Sequence, residues 1–227
     1  MAALQSNNVQ ALEPFISVDS NTINGLAGPH IIITGANVHI RDGSNTTAGI
    51  NGLGNLILGY NEEPNNYAAG RGGSHNLVIG GEHQFSSYGG LVAGKSNTIS
   101  GQYASVMGGL SNEASGALGA TVLGGRNNVA SGTFSSVYGG DANISSGGFS
   151  AVGGGFHNSA TGDWSSITGG YENLIGGCAP GAQYGTINGG RENSISSNGH
   201  FGSVSGGYQR TIDDSYGWAA GSLWQDQ

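Results

Sequence analysis

Asn112-Glu-Ala-Ser-Gly116, Ala120-Thr-Val-Leu-Gly124, Asn128-Val-Ala-Ser-Gly132 and Ser135-Ser-Val-Tyr-Gly139 are four successive copies of one five-residue unit. Each has a small or branched residue at its centre and glycine at its close. The unit recurs every seven or eight positions over most of residues 76–221, running on through Asn143, Ser150, Asn158, Ser165 and Asn173 without losing register. From Val78, Phe85 and Val92 to Val204, Ile212 and Ala219 the central residue is apolar, with Ser145 the one polar member. A centre turned inward between two outward neighbours has the period of two of a strand, so each unit reads as a very short strand.

Glycine at this density excludes a helix, where each would cost about 1 kcal/mol relative to alanine. The closing glycine instead supplies a positive φ or a close approach where the chain turns a corner. Two units make a coil of 14 to 16 residues, and coils stacked about 4.8 Å apart make a parallel β-solenoid. Between 112 and 169 the inward residue alternates small and large, as in Ala114, Val122, Ala130, Val137. One wall is therefore β-branched and the other small, which describes a thin roll. So thin a core offsets little chain entropy, and lateral association with copies of itself is expected.

Composition supports an ordered chain of this kind. The 227 residues include 46 glycines but only four prolines. Collagen would require glycine at every third position with abundant proline, and the regularly placed Val, Ile and Ala argue against a disordered linker. The formal net charge of −8, with six scattered Lys and Arg, offers no basic stripe for nucleic acid. No stretch has the length of a membrane span, and the start lacks the form of a secretory signal. Direct membrane insertion is not expected, and an export signal and anchor are expected to lie outside this chain. The lone cysteine, Cys178, reads as an idle or buried thiol in an insertion at 176–181.

Three columns recur once per coil. Asparagine heads alternate units at Asn97, Asn112, Asn128, Asn143, Asn158, Asn173 and Asn193, which reads as a ladder of side chains bonding turn backbone. Sequons at Asn45-Thr-Thr47 and Asn143-Ile-Ser145 are a minor alternative use of asparagine. An aromatic residue precedes the strand of the other unit at Tyr103, Phe134, Phe149, Trp164, Tyr184, Phe201 and Tyr216. These rings are expected to seal a corner or meet a neighbouring subunit; a sugar-stacking track, with Trp164, Tyr184 and Phe201 as its platform, is the sharper alternative. A third column follows the paired glycines and includes Arg126, Phe156, Tyr171, Arg191 and Tyr208. Its mixed character suits a solvent-facing turn, and it is the first candidate for a binding face.

Signals of catalysis are weak. The six histidines have no metal-ligand spacing, and Glu62-Glu63 and Asp213-Asp214 are the only adjacent acidic pairs. No metal, no cofactor and no enzymatic activity are expected. The calcium-binding Gly-Gly-x-Gly-x-Asp repeat is missing, and the outward positions Met107, Leu123, Tyr138 and Thr168 are too irregular for an ice-binding array.

The ends differ from the array. Residues 1–50 read as an N-terminal cap, with Ile31–Ile33 paired to Val38–Ile40 around a tight turn and Phe15–Val18 as a further strand. Residues 51–75 read as a first coil followed by a polar loop containing Glu62, Glu63 and Tyr67. Residues 222–227 read as a C-terminal cap, with Trp218, Leu223 and Trp224 covering the last coil.

The units at 128–132 and 135–139 resemble the head repeats of trimeric autotransporter adhesins of the YadA-like kind, which alternate SVAIG and SxAxG segments. The resemblance covers residues 76–221. It implies a left-handed parallel β-roll, three rolls side by side, and a role in surface display or adhesion. That family's heptad stalk and membrane anchor have no counterpart in the sequence. The segments GLGNLILGY (52–60), GSHNLVIGG (73–81), SSYGGLVAG (86–94) and WAAGSLWQDQ (218–227) are also similar to a group of bacterial hypothetical proteins, in which such repeats follow a short coiled coil. Ala3–Glu13 would be the end of that helix.

The expectation is an all-β homotrimer, extracellular or at a bacterial cell surface, serving as the non-catalytic head or spacer of a fibre and binding a glycan or a surface protein through its outer turns. A phage tail-fibre segment and a polysaccharide-degrading enzyme are the rival readings.

Overall fold

The computed structural model describes residues 10–63, 70–176 and 183–221. These divide into two compact units, one ending at His39 and the other starting at Ile40. The solenoid unit therefore takes in the last part of the stretch read from sequence as an N-terminal cap.

In the first unit a helical turn at 10–12 precedes strands β1 (Ile16–Asp19) and β2 (His30–Ile33). The strands pair antiparallel, with Ile16 opposite Ile33 and Asp19 opposite His30. Val38–Ile40, the partner expected from sequence for Ile31–Ile33, forms no strand. The Asn24-Gly25 turn explains the difference. Both residues have positive φ (50° and 83°), and Ile23 bridges Leu26 across them, as a tight hairpin turn requires. The reversal thus happens before β2, not after it. Val18 and Ile31 remain exposed.

In the second unit the chain forms a parallel β-solenoid of about nine turns. Sheet I has eleven described strands, from Leu56–Leu58 to Trp218–Ala219, and sheet II has nine, from Gln84–Phe85 to Thr211–Ile212. Each strand pairs in register with the strand one coil on, so that Val122 stands between Val106 and Val137, and Ala130 between Ala114 and Ser145. Successive rungs of the asparagine ladder are 14, 15 or 16 residues apart as far as Asn173, then 20 and 17. A third line of single-residue parallel bridges runs Lys95, Leu110, Arg126, Asp141, Phe156, Tyr171, Arg191, Tyr208.

The inward column is buried as read from sequence. Val106, Val122, Val137, Val152 and Ile167 are fully inaccessible on one wall, and Ala114, Ala130 and Ala160 on the other. Ser145 is equally buried and is satisfied by Ser150, whose Oγ is 2.6 Å away and in turn donates to the Gly147 carbonyl at 2.7 Å. A fully buried Val or Ile is worth about 1.5–3 kcal/mol, and each coil has only two inward positions, one of which is Ala or Ser from Ala114 to Ala160.

Two kinds of corner close the coil. At the paired glycines the second residue carries the turn: Gly140 has φ 83°, and a Cβ there would lie 2.1 Å from the Gly155 carbonyl oxygen of the next coil. Gly132, which closes a sheet II unit, has no positive φ, yet a Cβ there would lie 2.0 Å from the Gly147 oxygen. One glycine is needed for both angle and space, the other for space alone.

Most of the remaining left-handed corners are not glycine. The aromatic column has φ from 54° to 63°, and Ser111, Asn127, Ala142, His157, Glu172, Glu192 and Gln209 have φ from 52° to 56°. Bulky residues rarely adopt this region. Here the flipped peptide lets the N–H donate back to the previous coil, as from Phe149 to Thr133 O at 2.8 Å and from Ala142 to Arg126 O at 2.9 Å. Strand amides donate forward, as from Ser136 to Ser150 O at 3.0 Å. Each coil is thereby tied in both directions, and that over-determination holds the strained residues in place.

Candidate functional site: two side-chain ladders on the solenoid edges

The asparagines form a buried spine. Asn143 Oδ1 accepts the backbone N–H of Asn158 at 3.0 Å, while its Nδ2 donates to the carbonyls of Gly139 and Gly155, each at 2.9 Å. The same pattern runs from Asn97 to Asn193, where Arg210 N ends it. Asn143 is completely buried, so its sequon lies inside the folded coil. Sequence reasoning missed the first members of this spine, Asn61 and His83. His83 N–H donates to Asn61 Oδ1 at 2.7 Å, and His83 Nδ1 accepts the Asn97 N–H at 3.2 Å. The signal was available, because His83 stands two residues before Phe85, as Asn97 stands two before Ile99.

The aromatic column is a continuous stack from Phe134 to Tyr216. Neighbouring centroids are 4.9 to 5.7 Å apart, and from Phe149 onward the interplanar angles are only 2° to 7°. Below Phe134 the column position is Gly119, and Phe134 leans over it, its Cδ1 2.7 Å from where a Cβ would be. This accounts for the 26° tilt between Phe134 and Phe149. Within the stack each ring face is covered by the next ring, and Trp164, 47% exposed, shows water its edge. A sugar ring stacks on aromatic faces, and between Phe149 and Phe201 none is open.

The third column has the most varied chemistry. Arg126 makes a two-pronged ion pair with Asp141, with Nη2–Oδ2 at 2.5 Å and Nε–Oδ1 at 3.2 Å. It holds the Asp141 carboxyl below its usual range. Phe156 stacks on Tyr171 at 5.2 Å, and the Arg191 guanidinium lies 5.1 Å from the Tyr171 centroid and 5.6 Å from that of Tyr208. Arg191 Nε donates to Glu192 at 2.7 Å, and Gln209 Nε2 donates to the same carboxylate at 2.8 Å. Gln209 first and Arg191 second lower the Glu192 pKa. The single column expected for Arg126, Asp141, Phe156, Tyr171, Arg191 and Tyr208 is present; their contacts with one another, and with Glu192 and Gln209, are not legible in the sequence. The bridge ladder brings them into contact.

Of the sequence candidates for chemistry, Glu63 pairs among the described residues with Arg71, at 3.8 Å. No group of three metal-ligating side chains occurs among the described residues. Cys178, Tyr67, Leu223 and Trp224 lie outside the described residues. Trp218 is 70% exposed and its Nε1 donates to Ser205 Oγ at 3.1 Å. It stands on the outer row of sheet I, not over the coil end as expected, because the residue before inward Ala219 points outward. A Ser-Asp-His trio does meet at the start of the solenoid unit. Ser44 Oγ donates to Asp42 Oδ1 at 2.7 Å, and His75 Nε2 is 3.6 Å from the same oxygen. Asp42 stands between the other two, so His75 is not placed to take the serine proton, as nucleophilic catalysis requires.

No protein-family model and no curated protein matches the chain. Its function has to be read from these two edges.

Proposed function

We propose that the protein is the non-catalytic head or spacer module of a bacterial surface fibre, exported from the cell and binding a glycan or a surface protein through its outer turns. In this reading the roll is left-handed, three copies lie side by side, and the N-terminal hairpin caps one end.

The observation that carries the reading is Arg191 held between the rings of Tyr171 and Tyr208 on an exposed edge. A guanidinium flanked by two tyrosines is set in place by cation–π contacts and by Glu192 before any ligand arrives. Tyr and Arg dominate protein-binding hot spots, and pre-organisation lowers the entropic cost of binding. The backbone beneath is a hydrogen-bonded ladder, so the spacing of Phe156, Tyr171, Arg191 and Tyr208 is rigid.

Arraying the protein against glycans and against bacterial and host cell surfaces tests this. Retained binding should be lost in an Arg191→Ala, Tyr208→Ala variant. A ligand held equally well by that variant, or release of reducing ends from a glycan, would overturn the reading.

A further inference from the structure

The two edges of the solenoid differ sharply in charge. The third-column edge carries Glu82 with Lys95, Arg126 with Asp141, Arg191 with Glu192, and Glu172. The aromatic stack is flanked by Asp163, whose Oδ1 is occupied by the Gly148 N–H at 2.7 Å, and, at its Tyr216 end, by Asp213 and Asp214. In a chain of net charge −8, the stretch of this edge from Phe134 to Phe201, with one engaged carboxylate, is where two copies can approach with little repulsion.

The same edge is apolar, straight and periodic. Six rings over five coil steps of about 4.8 Å make a strip roughly 24 Å long. Half-exposed aromatic side chains leave on the order of 500 Å² uncovered, at the upper end for a monomer's largest apolar patch. Beside it, two residues along each coil, runs a row of small half-buried residues, Ser136, Ala151, Ser166, Thr186 and Ser203, which ends beside Tyr216 on the exposed Trp218. Strip and row together approach the roughly 800 Å² per partner of a stable interface.

Backbone strain points the same way. Gly89 and Gly119 occupy this column in two coils with φ 69° and 66°, so glycine serves the corner without strain. Elsewhere the position holds a large ring in the left-handed region, and stacking covers only the faces of those rings. Their edges, which carry the positive side of the ring quadrupole, remain without a partner.

We infer that the aromatic edge from Phe134 to Tyr216 is the lateral interface between copies of this chain, aligned in parallel, with the charged third column left outward. A second copy has the same ring spacing and therefore meets the strip in register along its whole length. The inference rests on the multimeric reading above and specifies the face that reading leaves open.

Light scattering on the full chain and on a Phe149→Asn, Trp164→Asn, Tyr184→Asn variant tests it, since asparagine enters the left-handed region readily. The wild type is expected to have the mass of several chains. The variant should fall to that of one chain, about threefold for a trimer, with its circular dichroism unchanged, while Arg126→Ala keeps the wild-type mass. Hydroxyl-radical footprinting of the wild type is a second readout that needs no variant: Tyr184 should be protected and Tyr208 labelled. A variant that keeps the wild-type mass, or Tyr184 labelled as freely as Tyr208, overturns the choice of face alone. A wild type that is a single chain at every concentration overturns the multimeric reading with it.

Discussion

His83 Nδ1 faces the backbone nitrogen of Asn97 at 3.2 Å, the place where every later rung of the spine has an asparagine oxygen. His83 Nε2 lies 3.0 Å from the Ile79 carbonyl, as Asn97 Nδ2 lies 2.6 Å from that of Ala93. A neutral imidazole protonated on Nε2 thus reproduces an asparagine side chain: acceptor toward the next coil, donor toward its own. An imidazolium cannot, because both nitrogens would then be donors.

This makes the first coils sensitive to acid. Burial pushes the His83 pKa below its ordinary 6.5, and Arg71, whose Nε donates to the His83 carbonyl at 3.1 Å, also opposes protonation. The carboxylate of Glu82 next to it is engaged by Ser96 and Lys95. Because the folded pKa is the lower one, the stability contribution is full above the unfolded value and is lost as pH falls below it. The protection factor of the Asn97 N–H against hydrogen exchange should therefore fall on acidification. His83→Asn should remove that pH dependence while keeping the bond. An equally steep acid response in the variant would assign it to another group.

Asn143→Ala removes the acceptor for the buried Asn158 N–H and the donor to the part-buried carbonyls of Gly139 and Gly155, of which Gly155 keeps the Asp141 N–H. Leaving a buried group unpaired costs about 1–3 kcal/mol, so a loss of about 1–3 kcal/mol is expected in urea denaturation. A loss below about 1 kcal/mol would mean that water replaces the side chain.

Two glycine substitutions should separate space from angle. Gly140→Ala drives a Cβ to 2.1 Å from the fixed Gly155 carbonyl oxygen, and should prevent the roll from closing or lower its melting temperature severely. Gly119→Phe meets only the movable ring of Phe134, at 2.7 Å from its Cδ1, in a column that takes rings in other coils. It should fold, extend the stack by one coil, and bring the Phe134 plane parallel to Phe149. Equal damage from the two would refute the distinction.

Arg191→Ala should leave the melting temperature close to that of the wild type, because the side chain is mostly exposed and exposed charge pairs contribute little to stability. Its effect should be on binding. A large thermal shift with unchanged binding would make the Tyr171–Arg191–Tyr208 stack a structural device.

The repeat pattern is enough to specify the solenoid. A unit of constant length with one inward residue admits no other packing that buries Val106, Val137 and Ile167 together while spacing Asn112, Asn128 and Asn143 at equal steps. Alternation within a strand is a local property, so the inward column and the spine could be read residue by residue. The conformation at the corners, and what touches what along the outside, arise only from the stacking of coils. The sign of φ at Phe149 or Ala142 is set by the backward hydrogen bond to the previous coil and is not a preference of either residue. Whether aromatic rings one coil apart show faces or edges depends on that same φ. The contact of Arg191 with Tyr171 and Tyr208, which are 20 and 17 residues away, depends on coils of unequal length meeting in register. Those relations exist only once the coils are stacked, and the two outer edges take their character from them.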